Sequence, residues 1–201
     1  ALVGAVDLVV PSPGVPEGHA ALATALGRGV PVRSEVDIAA DGARPALIAV
    51  TGTNGKTTVT TLTTAMLEVA GCRVIAAGNI GTPLLDAVNA DVDIIVAEVS
   101  SFQLAFTTAA FSPRAAALLN LGADHLDWHR TFDAYARAKA NVFAHQQSGH
   151  ALVFNADDPV VAGLASDAPG RRIPFSVANG AATGYRVVET ASWEPNDAFA
   201  E

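Results

Sequence analysis

A short glycine loop between an apolar run and a threonine-rich helical segment constrains the fold of this chain more than any other feature. Residues 46–50 predict a buried strand, residues 51–58 (Thr-Gly-Thr-Asn-Gly-Lys-Thr-Thr) predict a tight loop, and residues 57–70 predict a helix. A strand that passes through such a loop into a helix N-terminus forms an anion site. The helix carries one apolar stripe, with threonines elsewhere, which consists of Val59, Leu62, Met66 and Val69.

The residues of the loop predict binding of phosphate and magnesium. Loop amides and the positive end of the helix dipole attract phosphate, Lys56 can reach terminal phosphates, and the Thr57 hydroxyl can bind Mg²⁺. The common form of this loop has a glycine five residues before Gly55, where this chain has Val50, so the loop is a shorter variant. A glycine turn that only caps a helix is the alternative. We expect ATP to contact the whole loop, namely Gly52, Thr53, Asn54, Gly55, Lys56, Thr57 and Thr58.

The rest of the chain alternates apolar runs with helical segments. Several runs are continuous, as at residues 94–97, which is typical of parallel strands covered on both faces. Half of the 201 residues are apolar and 16% are charged, so the chain can bury a large core. We therefore predict an α/β fold with a doubly wound, mostly parallel sheet of the P-loop type. Further strands are predicted at residues 73–77, 93–99, 115–121, 151–155 and 171–175.

A small, polar and turn-prone stretch at residues 39–45 predicts a linker. Residues 1–38 are too few for a nucleotide-binding domain, and we interpret them as the C-terminal part of a Rossmann-like domain. Residues 46–201 form the central domain, which we expect to be incomplete at its C-terminal end. Within the first part we predict a helix at residues 19–26 and strands at residues 6–10 and 31–36.

Charge and composition exclude several classes of protein. The net charge of −8, from 12 basic and 20 acidic residues, argues against a nucleic-acid-binding protein, which carries a basic surface. No apolar run approaches the roughly 20 residues of a membrane span. A single cysteine and the lack of a visible secretory signal predict a cytoplasmic protein.

Two polar residues follow predicted strands and are candidates for the metal side of the site. Glu98 ends the strand at residues 93–99, and ligands gather at the carboxyl ends of strands in such sheets, so it can hold Mg²⁺. His125 lies just past the strand at residues 115–121. A solvent-facing carboxylate and a structural histidine are the alternatives. The other histidines lack such placement and are assigned to the surface or a supporting layer: His19, His129, His145 and His150.

Lys139 is unusual because the chain contains ten arginines and only two lysines, the other being Lys56. Residues 132–143 predict a second helix, and its spacing places Lys139 in the middle of an apolar stripe. The side chain either extends to water along that surface or is buried as a neutral, nucleophilic amine with a lowered pKa. The residues leave both possibilities open. The stripe consists of Phe132, Tyr135, Ala136, Val142 and Phe143.

Several segments together resemble the Mur ligases of bacterial cell-wall synthesis, most specifically over residues 46–158. The glycine loop has the short form of this family, whereas Ala123 stands where the family has an acidic residue. Residues 78–81 and 100–103 are most similar to the D-glutamate-adding branch. Residues 12–14 resemble a loop of the family's UDP-substrate-binding N-terminal domain, which implies that residues 1–38 are the C-terminal part of that domain. The other similar segments are residues 98–104, 124–127, 135–139 and 155–158.

This resemblance implies an ATP-driven amide ligase that adds D-glutamate to UDP-N-acetylmuramoyl-L-alanine through an acyl phosphate. It implies two Mg²⁺ ions: the first at Thr57 and Glu98, and the second at His125 and Lys139, with the lysine as a carbamate formed from CO₂. We expect a monomer with small-molecule substrates. The implied catalytic residues are Lys56, Glu98, His125 and Lys139. The implied substrate contacts are Ser12, Gly14, Asn79, Ser101, Gln103 and His125.

Three other functions remain possible from the sequence. A sibling Mur ligase or a folylpolyglutamate synthase would share the loop, the glutamate, the histidine and the lysine. A nucleotide-dependent switch would have a guanine-specificity motif of the Asn-Lys-x-Asp type, and the sequence has none. A non-catalytic binding module is the third alternative.

Overall fold

A computed structural model describes residues 6–178, 185–187 and 193–195 of the chain. None of the helices in these ranges is long and apolar enough to cross a lipid bilayer. The helices are α1 (Ala20–Gly27), α2 (Glu35–Ala40), α3 (Lys56–Val69), α4 (Leu84–Ala87), α5 (Ser101–Leu104), α6 (Leu126–His129), α7 (Phe132–Ala144) and α8 (Pro159–Ala165). The strands are β1 (Ala46–Thr51), β2 (Val74–Gly78), β3 (Ile94–Glu98), β4 (Ala115–Leu118), β5 (Ala151–Asn155), β6 (Arg171–Ser176), β7 (Tyr185–Val187) and β8 (Trp193–Pro195).

The strands form one sheet in the order β2-β3-β1-β4-β5-β6-β7-β8. All neighbouring pairs from β2 to β7 are parallel, and β8 pairs antiparallel with β7. The predicted mostly parallel α/β sheet is therefore confirmed. The continuous apolar runs explain this arrangement, because the central strands contribute side chains to both faces of the sheet.

The two faces of the sheet have separate cores. In β1, Leu47 and Ala49 belong to a large cluster with residues of α7 and α8, such as Val142 and Val161. The alternate residue Val50 belongs to a second, smaller cluster, against which Val59 and Leu67 of α3 pack. Because side chains alternate along a strand, α3 covers one face, and other helices, among them α2, α7 and α8, cover the other.

The predicted strand at residues 31–36 is wrong: residues 35 and 36 belong to α2, and within residues 6–38 the structure describes a single bridge, between Val9 and Val32. The Ser34 side chain caps α2 by accepting a hydrogen bond from the Asp37 amide, and acidic residues in the first turn favour a helix there. The predicted linker at residues 39–45 overlaps the end of α2. The domain boundary stays a prediction, as does the assignment of residues 1–38.

The apolar stripe of α3 does not form its buried face. The side chains of Leu62, Met66 and Val69 are exposed, whereas Thr60 and Thr64 are buried. The helix therefore packs through a face rotated away from its most apolar side. The spacing correctly predicted the helix, but the orientation of a helix depends on the surface that it meets, here β2 and β3.

Candidate functional site

The candidate site lies at the carboxyl ends of the parallel strands. The glycine loop follows β1, Asn79 follows β2, Glu98 ends β3, and Asn120 follows β4. The strand predicted at residues 115–121 ends at Leu118, so that Asn120 belongs to the loop next to the glycine loop. In such sheets, this edge is where ligands bind.

The glycine loop turns directly into α3. Gly55 is the N-cap residue, with φ of 82°, a left-handed conformation that glycine adopts without steric cost. The Lys56 ammonium bends back and donates to the Gly52 carbonyl at 3.0 Å and to the Thr53 carbonyl at 2.9 Å. A cation is thus held over the loop, where the first-turn amides of α3 lack intrahelical partners.

Glu98 contacts the first turn of α3 and the residue that follows β2. Its carboxylate accepts a hydrogen bond from the Thr57 hydroxyl at 2.7 Å and one from the Asn79 side-chain amide at 3.1 Å. Gly78 makes this approach possible: its φ is 95°, and a side chain there would collide with the Glu98 backbone oxygen. The predicted pair of Thr57 and Glu98 therefore comes together, with Asn79 beside it.

Lys139 is buried, with 2% of its surface exposed, which excludes the water-exposed alternative. Its ammonium donates to the Gly52 carbonyl at 2.9 Å and lies 4.8 Å from the centre of the Tyr135 ring. Burial, and after it the positive charge of the nearby Lys56, lower the pKa of Lys139 to about 7 against the opposing effects of Asp124 and Glu98. A substantial fraction of Lys139 is therefore the neutral amine at neutral pH.

His125 lies among aromatic rings at the start of α6. It has φ of 51°, and its imidazole lies 3.4 Å from the Asp124 carboxylate. Its ring centre is 4.7 Å from that of Phe102 and 6.5 Å from that of Tyr135. His125 and Lys139 thus both approach Tyr135, the residue that joins them.

His129 was assigned from the sequence to the surface or a supporting layer, and the structure places it in the supporting layer. It is 2% exposed, its Nε2 lies 2.9 Å from the Ser101 hydroxyl, and its ring stacks on Phe102 at 5.7 Å. Burial, together with the charges of Lys139 and His125, lowers the pKa of His129 to about 4, so it is neutral. Its position one turn after His125 in the sequence was the only available signal.

The predicted substrate contacts are divided between an exposed group and a buried group. Gln103 is buried: its side chain accepts from the Ser100 amide and hydroxyl and donates to Glu35 at 3.1 Å. Ser12 lies beside Gln103 at a shallow cleft, while Gly14 is exposed nearby. The Trp128 indole donates to the Val15 carbonyl at 2.9 Å, which ties this segment to α6.

These contacts define two sides of the site. The phosphate side consists of residues 51–58, Asn79, Glu98 and Asn120. The aromatic side consists of Phe102, His125, Trp128, His129 and Tyr135. Lys139 contacts both sides, through Gly52 and Tyr135.

The oxygen atoms of the phosphate side fit a hard divalent cation. The Thr57 hydroxyl and the Glu98 carboxylate adjoin the loop, and Mg²⁺ is commonly bound by one or two protein oxygens plus substrate phosphates. Among the described residues, no three His, Cys, Asp or Glu side chains form a complete metal site. A magnesium ion here would therefore depend on oxygen ligands from the nucleotide.

Comparison with known families identifies the fold of this site. The sequence profile described as the Mur ligase middle domain matches residues 50–196. The chain belongs to the Mur ligase family. Every strand-end segment of the phosphate side lies within the matched range.

Relatives within the Mur ligases are similar over most of this chain. It is 46% identical over 173 residues to a UDP-N-acetylmuramoylalanine--D-glutamate ligase of Pelotomaculum thermopropionicum, covering 85% of this chain and 38% of the relative. It is 47% identical over 175 residues to the protein of the same name from Frankia casuarinae, covering 85% and 36%. The chain thus spans less than two fifths of the length of these Mur ligase relatives.

Solved structures show the same Mur ligase fold at lower identity. The structure of UDP-N-acetylmuramate:L-alanyl-gamma-D-glutamyl-meso-diaminopimelate ligase from Neisseria meningitides matches with a TM-score of 0.62 and 20% identity, covering 94% of this chain and 64% of that one. At this identity the likeness concerns the fold alone.

Proposed function

We propose that this chain is part of an ATP-dependent ligase that adds D-glutamate to UDP-N-acetylmuramoyl-L-alanine in peptidoglycan synthesis. The observation that carries the proposal is the contact of Thr57 with Glu98 beside a lysine-bearing phosphate loop. The names of the relatives, which are 46% and 47% identical, support the choice of substrates. The chain spans a minor part of those relatives, so the activity belongs to the longer protein.

The proposed reaction has two steps. The carboxylate of UDP-N-acetylmuramoyl-L-alanine attacks the γ-phosphorus of ATP, giving an acyl phosphate and ADP. The amine of D-glutamate then attacks the acyl carbon, releasing phosphate and a proton as the amide forms. Lys56 and the loop amides hold the phosphates and stabilise the negative charge that gathers during the transfer.

Thr57 and Glu98 would hold the first Mg²⁺, and His125 with Lys139 the second. These ions supply positive charge that lets the phosphates and the substrate carboxylate approach each other. Asn79 donates to Glu98 and so orients the carboxylate that would bind the first ion.

A carbamate on Lys139, formed with CO₂, belongs to this proposal. The neutral amine is the form that reacts with CO₂, and the lowered pKa of the buried Lys139 supplies it. As the amine nitrogen bonds to the carbon of CO₂ it releases a proton to the solvent, which leaves an anion that can bind metal. The Gly52 carbonyl now accepts a hydrogen bond from Lys139, so formation of the carbamate requires this contact to change.

The substrate side and the finer architecture are proposed on the same basis. We assign the sheet to the P-loop type, residues 1–38 to the tail of a Rossmann-like domain, and the whole protein to the cytoplasm as a monomer. Ser12, Gly14, Asn79 and His125 would contact the UDP substrate. Ser101 and Gln103 would act from beneath them, since both are buried and hydrogen-bonded.

The test uses the full-length protein that contains this chain. ATP-dependent phosphate release is measured with the UDP substrate and a panel of amino acids, and D-glutamate is expected to be the preferred acceptor. Lys56→Ala should lower turnover by at least about a hundredfold, because charge-assisted contacts to phosphate are lost. Arg171→Ala removes a cation at the first residue of β6, at the amino ends of the strands and away from the site, and should leave turnover unchanged. Full activity of Lys56→Ala would reject the phosphate-loop assignment, and preference for another acceptor would favour a sibling ligase.

A further inference from the structure

We infer that Asn120 is a positioning residue that holds the phosphate loop in its ATP-binding shape from the neighbouring strand end. The inference rests on the proposed function, because it assigns a role within the same nucleotide site. Asn120 lies two residues beyond β4, beside the loop that follows β1.

Asn120 makes three hydrogen bonds with the tip of the loop. Its backbone carbonyl accepts from the Thr53 amide at 2.9 Å. Its side-chain oxygen accepts from the Asn54 amide at 2.8 Å, and its side-chain nitrogen donates to the Asn54 carbonyl at 3.0 Å. Both ends of one side-chain amide therefore pair with the backbone of a single residue, as a neighbouring strand would.

This pairing fixes the part of the loop that lacks secondary structure of its own. The strand ends at Thr51 and the helix begins at Lys56, so the peptide groups of Thr53 and Asn54 have no regular partners. Asn120 uses the Asn54 amide and carbonyl, which fixes the orientation of both. The amides at the start of α3 are then left free of competing acceptors and available to phosphate.

Asn120 is itself held on both sides, so it can act as a fixed support. The Leu119 amide donates to the Thr51 carbonyl at 3.0 Å. The Leu121 amide donates to the Asp158 carboxylate, and the Gly122 amide donates to the Thr53 hydroxyl at 2.9 Å. A supporting residue can limit the motion of a loop only when its own backbone is fixed in this way.

The chemistry of the side chain gives the inference a graded test. Asn120→Ala removes both side-chain bonds but keeps the backbone contact with Thr53. Asn120→Asp keeps an acceptor for the Asn54 amide, loses the donor to the Asn54 carbonyl, and adds negative charge close to the phosphates. Both variants should weaken ATP binding, and Asn120→Asp should weaken it more at low salt.

The experiment measures KM for ATP, KM for the UDP substrate, kcat and the thermal midpoint without nucleotide in the full-length protein. Loss of two hydrogen bonds that shape the site should raise the KM for ATP in Asn120→Ala by about tenfold or more. The KM for the UDP substrate should change less than about twofold. Asn89→Ala is the matched control. The Asn89 side chain makes one solvent-exposed hydrogen bond, to the Leu85 carbonyl, in the segment between α4 and β3.

Each outcome decides the question. An unchanged KM for ATP in Asn120→Ala overturns the inference, and so do parallel changes in both KM values with a large fall in the thermal midpoint. If Asn120→Ala does not fold, Asn120→Asp and Asn120→Ser decide by the same comparison of the two KM values. Normal turnover of Lys56→Ala would reject the proposed function. If Lys56→Ala is inactive and Asn120→Ala has the wild-type KM for ATP, only the role of Asn120 is rejected.

Discussion

The phosphate side and the aromatic side of the site are built by different forces. The phosphate side is a set of directed hydrogen bonds between backbone and side-chain groups at the ends of four strands. The aromatic side is a packed group of rings from α5, α6 and α7. The centres of its neighbouring rings are 4.4 to 6.5 Å apart. Directed bonds fail when one atom is removed, whereas packed rings tolerate replacement by rings of similar size.

Lys139 contacts both the phosphate side and the aromatic side, so its replacement should have the largest effect on turnover. Arginine would keep a fixed positive charge where the proposal requires an anion, so Lys139→Arg should be at least as inactive as Lys139→Ala, with turnover lowered by a hundredfold or more. Added acetate or formate should restore part of the activity to Lys139→Ala, since a small carboxylate can occupy the space of the lost side chain. Near-normal turnover of Lys139→Arg would refute the carbamate and leave the two sides independent.

Gly78→Ala tests how strictly the phosphate side depends on geometry. The new methyl group would collide with the Glu98 backbone oxygen at a residue with φ of 95°, so we expect a loss of about 2–4 kcal/mol in the free energy of unfolding. Urea denaturation measures this loss. Gly163→Ala is the matched control, because it adds the same methyl group in α8 with no neighbour within 4 Å, and should be neutral or slightly stabilising. Equal behaviour of the two variants would show that the approach to Glu98 is not tight.

His129 provides the corresponding test on the aromatic side. Its pKa is lowered to about 4 in the folded protein and is near 6.5 when unfolded, so the unfolded chain binds more protons between these pH values. Its contribution to stability is complete above pH 6.5 and is lost as the pH falls towards 4. His129→Phe keeps a ring and removes the titration, so its stability should depend less on pH in this range, at a cost of about 1–2 kcal/mol for the lost bond to Ser101.

Thermal or urea unfolding at pH 7 and pH 5 compares the two proteins. An unchanged slope of stability against pH in His129→Phe would show that His129 does not titrate in this way. His19→Phe, at the exposed N-cap of α1, serves as a control for losing one histidine.

Asp158 supports the phosphate side from the next strand and should have the smallest effect. Its carboxylate caps α8 and accepts from the Leu121 amide at 2.8 Å. Asp158→Ala should lower the free energy of unfolding by about 1 kcal/mol, as loss of an N-cap does. Asp167→Ala removes an exposed carboxylate near the end of α8 and should change little. If urea denaturation gives both variants the same free energy of unfolding, the Asp158 cap does not stabilise the start of α8.

The difference between the two sides also explains what could be predicted from the sequence. The phosphate loop lies within eight consecutive residues, and Glu98 follows from its place at a strand end, so local patterns were sufficient. The apolar stripe of its helix singled out Lys139 but left open whether its side chain is buried, which the structure shows. By contrast, His129 is buried because Phe102, Trp128 and Tyr135 come together from separate helices, which no local pattern records.

Two other features depended on partners distant in the sequence. The exposure of Leu62, Met66 and Val69 reflects which face of α3 meets the sheet, and this is decided by strands that follow it. The role of Asn120 depends on the pairing of β4 with β1, which brings together residues 66 positions apart. Spacing within a segment predicts the segment itself, but it does not predict which segment becomes its neighbour.

The strand order has a consequence for the synthesis of the protein on the ribosome. Although β1 and its loop are translated before the other strands of the sheet, β3 must be inserted between β1 and β2 before Glu98 can meet Thr57. Asn120 and then Lys139 emerge later still. A nascent chain therefore carries the phosphate loop, residues 51–58, for some 80 residues of translation before the contact of Lys139 with Gly52 can form. During that interval ATP in the cell cannot stabilise the emerging domain by binding a finished site.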